Sequence, residues 1–152
     1  MGYRKLGSIL ENQSLVVIDN SIIMRWLVND GSESDLQISR LVLDSIQQGK
    51  IVPVVPSLWV YESSHVIASY IKRGLLEPEI GKRRLEMPFE ICRIIDIKPN
   101  PIELVELSLK YALSSYEATY LLLAHQLECS LSTLDKKLKK AVVRSKGKLL
   151  EL

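Results

Sequence analysis

The sequence predicts a single α/β domain in which a central, mostly parallel sheet carries helices on both faces. Two observations point to this class. Short, continuous runs of apolar and β-branched residues are typical of strands buried on both faces, and the segments between them have apolar residues at helical spacing. Strands that alternate with helices form parallel sheets through crossover connections. The length of 152 residues suits one domain.

The predicted elements follow one another along the whole chain. Strands are expected over residues 15–18, 51–55, about 91–95, 131–134 and, at an edge, 148–152. Pro53 lies inside the second run and lacks the N–H that a central strand needs. Helices are expected over residues 22–28, 33–48, 57–73, 77–88, 102–111 and 115–127, and after Asp135. Gly31, Gly49 and Gly74 follow three of these helices, and Ser57 is a suitable N-cap. Residues 1–14 are interpreted as an N-terminal extension of this single domain, which spans residues 1–152.

The composition is that of an ordinary globular domain, with 47% hydrophobic and 25% charged residues. Its apolar runs are much shorter than the roughly 18 residues of a membrane span, and no secretory signal is visible, so we expect a cytoplasmic protein without a membrane partner. Cys92 and Cys129 lie far apart without CxxC spacing, which favours reduced thiols over a zinc site.

The charges are divided unevenly along the chain. Residues 1–135 contain 13 basic and 17 acidic residues, whereas residues 136–152 contain seven basic residues and only Glu151. A solvated amphipathic helix would produce this cluster. Beside a site for phosphate chemistry, however, it becomes a candidate contact for a nucleic-acid backbone. At 3.6 residues per turn, Lys136, Lys139 and Lys140 share one face and are the predicted RNA contacts.

Two acidic residues occupy positions where α/β proteins form ligand sites. Asp19 directly follows the first strand, and Asp135 follows the strand that runs through Thr133. In open parallel sheets, ligands bind beyond the carboxyl ends of the strands. Each acid could instead cap the helix that comes after it, although Asn20 and Ser21 could fill that role near Asp19.

Two further acids lie near the beginnings of predicted helices. Glu62 shares a helical stripe with His65, and a solvent-exposed polar stripe is the alternative interpretation. Glu117 completes an S-x-x-E capping box with Ser114, so capping is its alternative role. If all four acids converge on one cleft, they repel one another unless a divalent cation neutralises them. Hard oxygen ligands of this kind suit Mg²⁺ or Mn²⁺.

The four acids occur in order within segments 17–21 (VIDNS), 56–62 (PSLWVYE), 114–121 (SSYEATYL) and 132–138 (STLDKKL). Together these segments resemble the PIN-domain nucleases, and most closely the toxin branch of VapBC-type toxin–antitoxin pairs. The resemblance covers the chain from about Leu15 onward. It implies a PIN-like three-layer fold, Mg²⁺- or Mn²⁺-dependent endoribonuclease activity, a homodimer, and inhibition by a small antitoxin protein. Asp19, Glu62, Glu117 and Asp135 match the four acids of the family, and Ser21 and Thr133 match polar positions that support its metal shell.

The resemblance is incomplete at two positions, which leaves an alternative function open. The third acid of the family is usually Asp rather than Glu117, and His65 stands where such toxins often have Asn. A PIN-like domain that binds RNA or a protein partner without cutting RNA is therefore the alternative. A phosphotransfer receiver domain also places an Asp at a strand end, but this sequence lacks the further acids that a receiver needs. No Ser/His/Asp triad, Walker-type loop or GxGxxG motif is present.

Overall fold

A computed structural model of the chain, which describes residues 13–152, shows a three-layer α/β fold and confirms the predicted class. Five strands form one all-parallel sheet in the order β3-β2-β1-β4-β5. The strands are β1 (Ser14–Ile18), β2 (Ile51–Pro56), β3 (Arg93–Ile95), β4 (Ser130–Ser132) and β5 (Lys148–Leu149). Seven helices flank the sheet: α1 (Asn20–Leu27), α2 (Glu33–Gln47), α3 (Leu58–Lys72), α4 (Pro78–Ile91), α5 (Pro101–Tyr111), α6 (Ser115–Gln126) and α7 (Lys136–Arg144).

The central strand, β1, pairs with β2 on one side and with β4 on the other. Its residues Val16, Val17 and Ile18 are almost completely buried, as expected for an apolar run covered on both faces. Pro53 is tolerated in β2 because the pairing with β3 begins only at Val54. At Pro53 the strand therefore has a single neighbour, and no ladder bond to β3 is lost there.

Helix α6 is the most deeply buried helix of the described chain. Every residue from Ala118 to Ala124 is buried, and the helix contacts β1, β2 and β4. A helix that is apolar on all sides belongs in the core. Because α6 leads into the parallel strand β4, its N-terminus, which carries Glu117, lies at the end of the sheet formed by the carboxyl ends of the strands.

Several boundaries differ from those predicted. Strand β4 ends at Ser132, because its pairing partner β1 ends at Ile18, opposite Ser132, and residues 133–135 then form a loop. Helix α4 continues past Pro88 to Ile91, so β3 begins only at Arg93. Strand β5 has two residues rather than five. Of the predicted N-terminal extension, residues 1–12 lie outside the described residues, and Ser14 already belongs to β1.

None of the helices within residues 13–152 combines the length and the apolar character needed to cross a membrane.

Candidate metal centre

Asp19 lies at the carboxyl end of β1 and is only 8% exposed. Although it is the N-cap residue of α1, its side chain makes no capping hydrogen bond. Its Oδ2 instead accepts hydrogen bonds from the Ser21 hydroxyl at 2.6 Å and the Thr133 hydroxyl at 2.7 Å. Burial raises the pKa of Asp19 above its ordinary value, and the two hydroxyls partly oppose that rise. Asp19 thus occupies the N-cap position without a capping hydrogen bond from its side chain, although the backbone N–H groups of Asn20 and Ser21 also lower the pKa of its carboxyl group.

The same two hydroxyls join the β4–α7 loop to the beginning of α1. The Ser21 hydroxyl accepts the backbone N–H of Leu134 at 3.0 Å, and the Thr133 hydroxyl accepts that of Asp135 at 3.0 Å. Ser21 and Thr133 thus orient Asp19 and fix the loop that carries Asp135. This network connects the ends of two adjacent strands, where the sequence predicted a site.

Asp135 is the N-cap of α7, and its Oδ1 accepts the backbone N–H of Leu138 at 2.8 Å. The capping role considered from the sequence is therefore present. It occupies one carboxylate oxygen. Through the hydroxyl of Thr133, the backbone of Asp135 is two hydrogen bonds away from the carboxylate of Asp19.

Glu62 lies in the second turn of α3 and accepts a hydrogen bond on Oε2 from the hydroxyl of Tyr120 in α6. Burial is the main reason why the pKa of Glu62 lies above its ordinary value. The hydrogen bond from Tyr120 lowers this pKa, and the negative charges of Asp19 and Glu117 raise it further. Like charges raise a carboxyl pKa only when they lie near it. Asp19 and Glu117 therefore lie near enough to Glu62 to act on its charge.

Glu117 forms the capping box that its sequence motif predicts. Its backbone N–H donates to the hydroxyl of Ser114 at 3.1 Å, and its Oε2 accepts the backbone N–H of Ser114 at 2.8 Å. The capping role of Glu117 is therefore confirmed. The same carboxylate still raises the pKa of Glu62, so it also contributes negative charge to the cleft.

Within residues 13–152, no three His, Cys, Asp or Glu side chains lie close enough to hold a metal ion. Each of the four acids instead has a hydrogen-bond partner in the protein. A four-acid metal site stays a prediction. The carboxylate oxygens are nevertheless of the type that a hard divalent cation prefers, and the negative charges of Asp19 and Glu117 both act on Glu62. Next to Asp19, the Oδ1 atom of Asn20 is buried without a hydrogen-bond partner among the described residues.

The other predicted site residues lie around this cleft or on the adjoining surface. His65 is exposed on α3, one turn after Glu62. Lys136 and Lys140 are exposed on α7, and Lys139 is partly buried. Asp135 is the N-cap of α7, so Lys136 directly follows the candidate ligand, and Lys139 and Lys140 lie about one turn further along the helix.

One residue of the site, Tyr120, was missed by sequence analysis. It was predicted only as part of the helix over residues 115–127, and it is 1% exposed. A useful signal was available, because a buried tyrosine hydroxyl requires a hydrogen-bond partner. Tyr120 follows Glu117 by three residues, which places the two side chains on the same side of α6.

Comparison with solved structures supports the fold. The chain is similar to the crystal structure of PAE2754 from Pyrobaculum aerophilum, with a TM-score of 0.66 and 16% sequence identity over 91% of this chain and 86% of that one. It is also similar to a chain of a toxin–antitoxin complex from Klebsiella pneumoniae, with a TM-score of 0.55 and 18% identity over 80% of this chain and 88% of that one. No protein-family model and no curated protein sequence matches the chain.

Proposed function

We propose that this protein is a metal-dependent endoribonuclease of the PIN type that acts as the toxin of a toxin–antitoxin pair. The observation that carries the proposal is the state of Asp19. A carboxylate that is buried at the carboxyl end of the central strand, makes no capping bond, and is held by two hydroxyls is oriented for a task other than helix capping.

In this proposal Asp19, Glu62, Glu117 and Asp135 would hold Mg²⁺ or Mn²⁺, which would supply Lewis acidity toward a phosphodiester and a bound water. The protein's own part is to orient the ligands. Ser21 and Thr133 fix the rotamer of Asp19, and the hydroxyl of Tyr120 fixes Glu62. Hydrogen bonds of this kind to metal ligands typically change metal affinity or activity by about 10- to 100-fold.

The assignment to a toxin rests on the sequence resemblance together with the structural likeness to a chain of the Klebsiella pneumoniae toxin–antitoxin complex. A toxin of this type has RNA as its substrate and a small antitoxin protein as its partner, and it forms a homodimer. The exposed apolar side chains of α5, such as Leu109 at 79% exposure, are compatible with a protein partner.

A second candidate is a domain that binds RNA or a protein without cutting RNA. Two observations favour it: Glu117 is engaged in a capping box, and the described acids do not form a group that holds a metal ion in their present positions. Metal binding separates the two candidates, because only the nuclease requires it.

The deciding experiment is a titration with Mn²⁺ by calorimetry, combined with cleavage of a labelled single-stranded RNA with and without a chelator. We expect Mn²⁺ binding and chelator-sensitive cleavage by the parent, and loss of both in Asp19→Asn. Asp44→Asn is the matched control, since Asp44 is exposed near the end of α2. Cleavage by Asp19→Asn at the parent rate would refute the nuclease proposal. If the parent binds RNA but does not bind Mn²⁺ and yields no cleavage product, the second candidate is established.

A further inference from the structure

A groove of about 490 Å³ lies between the C-terminal end of α5 and helix α7. Basic and apolar side chains line it together: Tyr111, Ala112, Lys137, Lys139, Lys140, Val143, Arg144 and Leu149. Among the residues that the structure describes, no Asp or Glu lines this groove. Its lining therefore combines positive charge with apolar surface, and Val143 there is 64% exposed.

Tyr111 is the aromatic residue of this groove, and two cations lie against its ring. The Nζ of Lys110 is 5.3 Å from the ring centroid, and the Cζ of Arg144 is 5.7 Å from it. These distances are within the range of cation–π interactions. An unpaired nucleobase can stack on this half-exposed ring by taking the place of one of the two flexible cations, and the Arg144 guanidinium offers a second planar surface.

Both walls of the groove are continuous in the chain with segments that carry candidate metal ligands. Helix α7 begins at the capping residue Asp135, so Lys137 and Arg144 lie about 3 Å and about 13 Å further along the helix axis. On the other wall, Tyr111 is followed by a left-handed turn at Ala112 and then by the capping box that holds Glu117.

We propose that this groove binds single-stranded RNA next to the cleavage site, with one base stacked on Tyr111 and the phosphates contacted by Lys137, Lys140 and Arg144. The inference rests on the proposed function for the identity of the polymer, and it deepens that function by assigning a substrate subsite. Lys139 and Lys140 were predicted as RNA contacts from the sequence, whereas Lys136 does not line the groove and Lys137 does.

Single-stranded RNA fits this surface better than an acidic peptide does. Both would satisfy the lysines, but only a polymer with flat, unpaired bases uses the aromatic ring and the apolar floor as well. Double-stranded RNA would present its phosphates while keeping its bases stacked internally. Affinity that depends on Tyr111 is therefore the property that distinguishes the three ligands.

The test measures binding rather than cleavage. Asp19→Asn protein is titrated in chelator with a fluorescein-labelled oligouridylate of about ten nucleotides, a length within known single-strand site sizes. Anisotropy is recorded from about 50 to 200 mM salt. In this background, Lys137→Gln with Lys140→Gln should lower the salt slope by roughly 1.4, at about 0.7 per lost phosphate contact. Lys146→Gln with Lys148→Gln, which removes equal charge outside the groove, should leave the slope unchanged.

The stacking role has its own pair of variants. Tyr111→Leu should weaken binding about tenfold without changing the salt slope, because base–aromatic stacking is lost while the cations remain. Tyr111→Phe should keep the parent affinity. Equal loss in the two lysine double variants, parent affinity in Tyr111→Leu, or absence of any binding to the oligouridylate would each overturn the proposal. Equal competition by polyglutamate or duplex RNA would assign the groove to another polyanion.

Failure of this subsite can be distinguished from failure of the proposed function. If the parent cleaves RNA with Mn²⁺ but Tyr111→Leu binds normally, the subsite is refuted and the nuclease stands. If the groove variants lose binding as expected but the parent never cleaves, the subsite stands and the domain is one that binds RNA without cutting it.

Discussion

Replacing Tyr120 by Phe removes one hydroxyl from the core and nothing else. That hydroxyl donates to Oε2 of Glu62, and it is the interaction that lowers the pKa of Glu62 against the effect of burial. In Tyr120→Phe the pKa of Glu62 rises further, so the carboxyl group holds its proton to a higher pH. A protonated carboxyl group is a poor metal ligand. Metal binding and cleavage should therefore both shift toward higher pH in this variant.

The size of the effect follows from the strength of a hydrogen bond to a charged group, about 1.5–3 kcal/mol. Because Glu62 is partly exposed, the lower end of that range applies. A loss of about 1.4 kcal/mol corresponds to a tenfold weaker binding of the metal ion. The same magnitude is typical of losing a hydrogen bond that orients a metal ligand.

Calorimetric Mn²⁺ titrations from about pH 5.5 to about pH 8.5, together with the pH profile of cleavage, test this reasoning. Tyr116→Phe is the matched control, because Tyr116 lies on the same helix and is 61% exposed. The reasoning is refuted if Tyr120→Phe keeps the parent's Mn²⁺ affinity and pH profile. It is also refuted if Tyr116→Phe shows the same shift, since the effect would then not depend on Glu62.

Four further changes test the network around these acids. In Asp19→Asn, thermal stability without metal should rise. Burial raises the pKa of Asp19 above 3.8, so the stability of the parent falls as the pH increases from 3.8 through the raised pKa. Thermal melts from about pH 4 to about pH 8 should show this loss of stability in the parent and not in the variant. Thr133→Val should lower the free energy of unfolding by about 1–3 kcal/mol in urea titrations, because the bond to Asp19 is lost and the N–H of Asp135 loses its acceptor. Glu117→Asp should remain active, with a cleavage rate at least equal to the parent's, and an inactive variant would contradict the role of Glu117 as a ligand. Ser114→Ala should lower the free energy of unfolding by about 1 kcal/mol and leave the Mn²⁺ affinity within about twofold of the parent's.

The order of elements could be predicted from the sequence because strand and helix differ in the spacing of their apolar residues. The positions of Asp19 and Asp135 at one edge then followed from the parallel arrangement, since all carboxyl ends of parallel strands meet at that edge. These two features depend on local pattern and on topology alone. The involvement of Ser21 and Thr133, by contrast, was implied only by the resemblance to PIN-domain nucleases, and both hydroxyls donate to Asp19.

The contact between Tyr120 and Glu62 depends instead on how α3 and α6 are rotated against each other. Helix α6 is buried along its whole middle, so its sequence does not show which face meets α3. The end of β4 is another example. Only the pairing with β1 explains why the strand stops at Ser132 and leaves Thr133 free to bind Asp19.

Capping and metal binding are compatible roles for Asp135 and Glu117. A capping interaction contributes about 1 kcal/mol, whereas even a metal ion bound with a millimolar dissociation constant contributes about 4 kcal/mol. Releasing Glu117 from the backbone of Ser114 would therefore weaken metal binding by only about fivefold. Asp135 requires no release, because its cap uses Oδ1 alone. The capping box around Glu117 would consequently lower the affinity for metal without preventing metal binding.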